Sequence, residues 1–231
     1  MATSRTVLVV AAHPDDEVLG CGGTIARHSL AGDAVHVAIL AEGIASRDDT
    51  LTGMVREAKL ASLSEAAKRA NELLGVQSVE LLQLPDNRLD SLDRLDLVKT
   101  VEALMRRNRP DIVYTHHAGD VNIDHRLAHE AVATACRPLP GQSVRTLLAF
   151  EIASSTEWQP VGSAPAFLAN WFVDISQTLP RKLAALDAYC SEMRPWPHAR
   201  SIQALEHLAR WRGASVGVAA AEAFMLGRTL L

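Results

Sequence analysis

Apolar residues follow two rhythms along this chain. Val7–Ala12 is an unbroken, β-branched run, the mark of a strand covered on both faces, and the stretch from Glu17 to Leu30 reads as a helix stopped by Gly32. The alternation continues. Ala34–Ala41, Val79–Leu84, Ile112–His116 and Thr146–Ile152 read as strands. Between them, Met54–Leu74 (closed by Gly75), Ser91–Arg107 and Asp124–Cys136 (closed by Arg137-Pro-Leu-Pro-Gly141) read as helices. Strands alternating with helices of about ten residues or more predict right-handed βαβ units, hence an α/β fold with a mostly parallel sheet and helices on both faces.

Beyond Ile152 the texture changes. Ala153–Asn170 is loop-like, with Pro160, Gly162 and Pro165, and Trp171–Ile175 reads as a short strand. Helices are expected at Leu179–Tyr189, Ser201–Arg212 and Gly217–Leu226. Nine of the ten aromatic residues follow position 149, so they either pack these helices on the sheet or line a substrate wall or subunit interface. We read one domain over 1–231, with a core at 1–152 and a helical C-terminal elaboration at 153–231.

Composition narrows the function. Hydrophobic residues make up 48% and charged residues 22%, which excludes a disordered chain. The net charge is −4 and no Lys/Arg run exceeds two residues, so nucleic acid is not an expected partner. The cysteines, Cys21, Cys136 and Cys190, are odd in number and widely spaced, as free thiols in a reducing cytoplasm would be. The first apolar run is short and ends in His13-Pro-Asp-Asp-Glu17, so it reads as a strand rather than a signal peptide or membrane span. The expectation is a soluble cytoplasmic protein.

In open α/β sheets, ligands gather beyond the carboxyl ends of the strands. Three clusters fall there: His13–Glu17, Ala41–Arg47 and His116–His125. If the first and fourth strands are neighbours, the first and third clusters face each other. Gly20-Cys-Gly-Gly-Thr24 resembles part of a dinucleotide glycine loop, but Asp15, Asp16 and Glu17 would repel a pyrophosphate at that turn. Those carboxylates suit a cation. His13 and Asp16, three apart on a tight turn, with His125 from the fourth strand's loop, form a plausible catalytic zinc set. Asp15 lies between the first two ligands, points elsewhere, and is free to serve as a base. Singly, each carboxylate has a bland account as an N-cap or first-turn residue, and each histidine as a structural hydrogen-bonder. Their combination on two strand ends favours a metal. His129, four after His125, is a weaker candidate ligand, and strand alternation turns one of His116 and His117 inward. His28, His36 and His207 read as structural or surface residues.

Ala12-His-Pro-Asp-Asp-Glu17 after a hydrophobic strand, with Asp124-His125 far downstream, resembles the PIG-L/LmbE-like family of zinc-dependent N-deacetylases. The likeness extends diffusely through Glu42-Gly43, Ser46-Arg47, Leu74-Gly-Val76, Leu84-Pro-Asp86 and Arg194-Pro-Trp-Pro-His-Ala-Arg-Ser201. It implies a Rossmann-like three-layer sandwich, Zn²⁺ or another divalent metal on His13, Asp16 and His125, and Asp15 as general base. It also implies a small N-acetylated sugar or sugar conjugate as substrate. Arg47 would bind a sugar hydroxyl or phosphate; Asp86 would order the crevice or touch a sugar hydroxyl. The family usually has His-Pro-Asp-His before the third ligand, whereas this chain has Asn122-Ile-Asp-His125. Asn can donate to an oxyanion but carries no transferable proton. Either Asn122 serves alone or His198, in a proline-stiffened loop, takes the missing role. A hydrolase of another small amide and a non-catalytic metal-bearing protein remain alternatives, and a homo-oligomer stays open.

Overall fold

The computed structural model describes residues 4–44 and 53–231. Its strands are β1 (Thr6–Ala11), β2 (Ala34–Ala41), β3 (Ser78–Leu84), β4 (Ile112–His116), β5 (Thr146–Phe150), β6 (Trp171–Asp174) and β7 (Ala221–Thr229). Its helices are α1 (Asp16–Leu30), α2 (Gly53–Leu74), α3 (Arg94–Asn108), α4 (Ile123–Ala135), α5 (Leu179–Ala188) and α6 (Ile202–Ala214). Among the described residues the strands form one sheet in the order β3-β2-β1-β4-β5-β7-β6. The first five run parallel, and β7 is antiparallel to both β5 and β6. This is the expected Rossmann-like sandwich, mostly parallel with an antiparallel margin.

Alternation along β1 divides the core. Val7, Val9 and Ala11 face a layer containing residues of α1, α2, α5 and α6, whereas Leu8, Val10 and Ala12 face α3 and α4. β1 and β4 are direct neighbours, pairing Val7 with Ile112 and Val9 with Tyr114. The loops after them therefore open on the same crevice, as the sequence required. No helix of the described residues is long and apolar enough to cross a membrane.

One element differs in kind. Gly217–Leu226 reads as a helix because Ala, Glu, Met and Leu are strong helix formers. In the structure Ala221–Thr229 is instead strand β7, inserted between β5 and β6. Helix propensity differs by only about 0.7 kcal/mol per ordinary residue, whereas the uncovered edge of β5 needs a backbone partner. The ladder decides. The C-terminal elaboration is thus a helix pair plus a two-stranded extension of the sheet.

Candidate active site

Chain entering the crevice from β1 turns at His13-Pro14 and starts α1 at Asp16. Asp15 holds this turn at φ 112°, a conformation that side-chain-bearing residues rarely adopt. Its carbonyl accepts from the Val18 and Leu19 amides at 3.0 and 2.8 Å, and its own amide donates to Glu17 Oε2 at 3.1 Å. Glu17 is fully buried, its other oxygen receiving the Tyr189 hydroxyl at 2.6 Å and the Asn71 amide at 2.8 Å. Glu17 thereby anchors the strained turn to α2 and to the residue that ends α5.

His13, Asp16 and His125 converge so that one donor atom from each lies within 4.8 Å of the others. Asp16 Oδ2 is 3.2 Å from His13 Nδ1 and 3.2 Å from His125 Nε2. The opposite ring nitrogens rest on carboxylates. His13 Nε2 is 3.1 Å from Asp124 Oδ2 and 3.3 Å from Asp86 Oδ1, and His125 Nδ1 is 3.2 Å from Asp120 Oδ1. Asp120 in turn accepts from the hydroxyls of Ser155 and Thr156. Carboxylates behind imidazoles fix ring orientation and raise ligand basicity, the usual surroundings of a histidine-bound metal.

The electrostatics call for added positive charge. Asp15, Asp16, Asp86, Asp120 and Asp124 are all at most 2% exposed. Burial opposes a charged His13, yet Asp124, Asp16 and Asp86 together lift its imidazole to about 10. Burial likewise opposes ionised Asp16, but His125 and His13 hold its carboxyl well below the usual range. Asp120 falls to about 2, burial being outweighed by His125 and the two hydroxyls. A buried acidic cluster that recruits protons onto histidine is a donor set that a divalent cation fits.

Asp15 stands apart from the converging donors and instead pairs with Arg200, whose Nη1 donates to Oδ2 at 2.9 Å. Burial lifts the Asp15 carboxyl to about 8, with Arg200 pulling it down and Asp16 pushing it up. Arg200 Nε also donates to Ser154 Oγ at 2.9 Å.

The remaining expected residues fall in varied places. Asp86 is buried, with its Oδ1 3.3 Å from His13 Nε2. Asn122 caps α4, its Oδ1 accepting from the Asp124 amide at 2.8 Å while its Nδ2 donates to Asn87. His198 accepts the Arg200 amide at 3.0 Å and stands edge-on to Trp158. Arg47 and Ser46 lie outside the described residues. His129 donates Nδ1–H to the His116 carbonyl at 2.8 Å and is not among the converging donors. Both His116 and His117 are buried, and His116 is the one beside the cluster: it accepts the Ala12 amide at 2.8 Å and stacks on His125, and burial keeps it neutral. His117 bonds Pro165 instead.

Sequence reasoning gave no roles to Arg200, Asp120 or Asp124. Arg200 lies within the C-terminal run Arg194–Ser201, and both aspartates lie in the cluster after β4, so only their pairing was hidden.

A family model described as GlcNAc-PI de-N-acetylase, PIG-L, matches residues 8–136. The chain belongs to the PIG-L family. Metal-dependent N-deacetylase is the enzyme class this membership supports. The chain is 31% identical over 201 residues to a diacetylchitobiose deacetylase of Thermococcus kodakarensis, covering 81% of this chain and 70% of that one. It is also 31% identical over 209 residues to a 4-oxalmesaconate hydratase of Pseudomonas putida, covering 84% and 76%. In fold, it matches the N,N'-diacetylchitobiose deacetylase of Pyrococcus horikoshii with a TM-score of 0.77 at 22% identity, over 97% and 84% of the two chains. The PIG-L match stops at residue 136, so Tyr189 and Arg200 reach the motif from beyond it.

Proposed function

We propose that this PIG-L protein is a zinc-dependent hydrolase that removes the acetyl group from an N-acetylated amino sugar or sugar conjugate. The observation that carries the reading is the convergence of His13, Asp16 and His125 beside a separate, arginine-paired Asp15. These three residues would hold the ion. When bound, it supplies Lewis acidity, polarising the amide carbonyl and acidifying water.

The chain's own groups do the rest. Asp15 takes the proton of the attacking water and returns it to the departing amine, a general base turned general acid. Arg200 holds the Asp15 carboxylate in place. Asp120, Asp124 and Asp86 fix the two imidazole rings. Asn122 contributes by capping the helix that carries His125, and His198 by accepting the Arg200 amide. Arg47 serves as a contact to the substrate.

A screen for acetate release over N-acetylated sugars, with zinc-loaded protein, tests the proposal. Asp15→Asn should keep zinc and lose turnover by about 10²–10⁴-fold. His13→Ala should lose the metal. Release at parental rates in both variants would remove this site from the reaction. The identity with a hydratase favours a second reading, addition of water across a carbon–carbon double bond by the same donor set. Loss of ultraviolet absorbance from a conjugated dicarboxylate, without acetate release from any sugar, would select it.

A further inference from the structure

Helix α1 is not continuous. Cys21 has φ −148° and ψ 24°, so a short turn beginning at Asp16 is separated from the longer helix that ends at Leu30. A break inside a buried helix leaves carbonyls without donors on one side and amides without acceptors on the other. Two charged side chains meet both needs. Lys182 Nζ, from α5, donates to the Leu19 carbonyl at 2.8 Å. Glu222, from β7, accepts the Gly23 and Thr24 amides at 2.9 and 2.7 Å, one on each carboxylate oxygen. The two side chains also bond each other at 2.6 Å, and both residues are 4% exposed. A carboxylate thus caps the start of the second segment while an ammonium caps the end of the first, each matching the local dipole.

The close packing around the break leaves little room to shift. A Cβ on Gly20 would lie 2.4 Å from the Phe150 ring, and one on Gly23 2.7 Å from Ile175. The first segment carries Asp16 and Glu17 and follows directly on His13 and Asp15. Its orientation therefore sets where two of the three converging donors stand. Removing two charges from water costs several kcal/mol per ion, and buried pairs add little net stability. Their placement on the break points to alignment instead.

We propose that the Lys182–Glu222 pair is a positioning element of the metal site, closing the break in α1 so that His13 and Asp16 stand at ligand distance from His125. The proposal rests on the metal reading above. Both side chains come from outside residues 8–136, which makes α5 and β7 a part of the site's framework rather than an appendage.

Zinc alone is the probe, its affinity read by competition with a chromophoric chelator. Glu222→Gln puts an amide N–H where one carboxylate oxygen accepts, and Lys182→Gln removes the ammonium. Each should weaken zinc binding about tenfold, within the range for groups that orient ligands. Amide hydrogen exchange should quicken in peptides spanning 16–24. Leu104→Ala, in the core of α3 on the opposite face of the sheet, supplies a destabilised control that should retain parental zinc affinity. If one glutamine variant fails to fold, the other reads the same quantity. Zinc affinity within twofold of the parent in a folded glutamine variant, while His13→Ala loses zinc, overturns the positioning role alone. Parental affinity in His13→Ala overturns the metal reading, and the proposal with it.

Discussion

Arg200 donates from Nη1 to Oδ2 of Asp15 across 185 positions of sequence. The arginine follows α5 in the C-terminal elaboration, and the aspartate is the strained residue of the turn after β1. Only 17% of the arginine side chain and 2% of the aspartate side chain are exposed, so water screens the pair weakly. A planar guanidinium fixed also by Ser154 can hold a carboxylate at one angle, which a flexible ammonium cannot.

Arg200→Met should therefore lower kcat about 10²-fold, the scale on which small misplacements of a reacting group are felt. KM should change little, because the ion pair aims the base rather than binding substrate. Zinc content, read by elemental analysis, should match the parent. Arg200→Lys should recover only part of the loss. Turnover within twofold of the parent in Arg200→Met would separate Arg200 from the reaction.

The carboxylates behind the histidines give a second expectation. Asp120→Asn and Asp124→Asn keep shape and volume but remove the charge facing His125 Nδ1 and His13 Nε2. Each should weaken zinc affinity by about 10–100-fold. Chelator competition measures this directly, and parental affinity in both would reduce these aspartates to packing residues.

How much of this was readable beforehand depends on range. The turn His13–Glu17 and the α4 start at Asp124-His125 announce themselves because each lies within a few residues of a strand end or helix start. The parallel sheet follows from the βαβ rhythm. Asp120 and Asp124 as supports were harder, since a helix start offers any aspartate a capping role. Arg200 to Asp15, Tyr189 to Glu17 and Glu222 to Gly23 were invisible in one sequence, because nothing local couples residues so far apart. The strand β7 failed for a related reason: its residues favour a helix, and only the vacant edge of β5 reverses that preference.

Away from the site, Asp33 gives a pH expectation. Its carboxyl receives the Arg5 amide at 3.0 Å, the Arg5 guanidinium at 2.9 Å and lies 2.7 Å from His28 Nδ1. Burial acts the other way, but these partners lower it below the usual value of 3.8. A folded value below the unfolded one stabilises the protein above pH 3.8, and the contribution fades as pH falls through the lower folded value. Asp33→Asn should unfold at lower urea than the parent at pH 7, with the gap narrowing toward pH 3 as the parent's carboxylate is protonated. A gap constant over that range would assign the loss to packing.

Tyr189 offers the sharpest link between core and chemistry. Its hydroxyl, wholly buried, donates to Glu17 Oε1 at 2.6 Å, and Glu17 Oε2 in turn holds the Asp15 amide at 3.1 Å. Tyr189→Phe removes one oxygen and leaves the ring to fill its place, so no large cavity forms. The lost bond to a buried carboxylate should cost about 1.5–3 kcal/mol, read from the urea midpoint at unchanged m-value. The same change frees Glu17 to move, and with it the backbone conformation that aims Asp15. Turnover should therefore drop by more than a purely global loss of stability permits, when assayed where parent and variant are both fully folded. Asn71 still donates to Glu17 at 2.8 Å, which keeps the turn assembled and limits the drop to about tenfold, less than for loss of Arg200. Parental turnover in a variant that shows the full stability loss would make Glu17 an anchor of the fold alone.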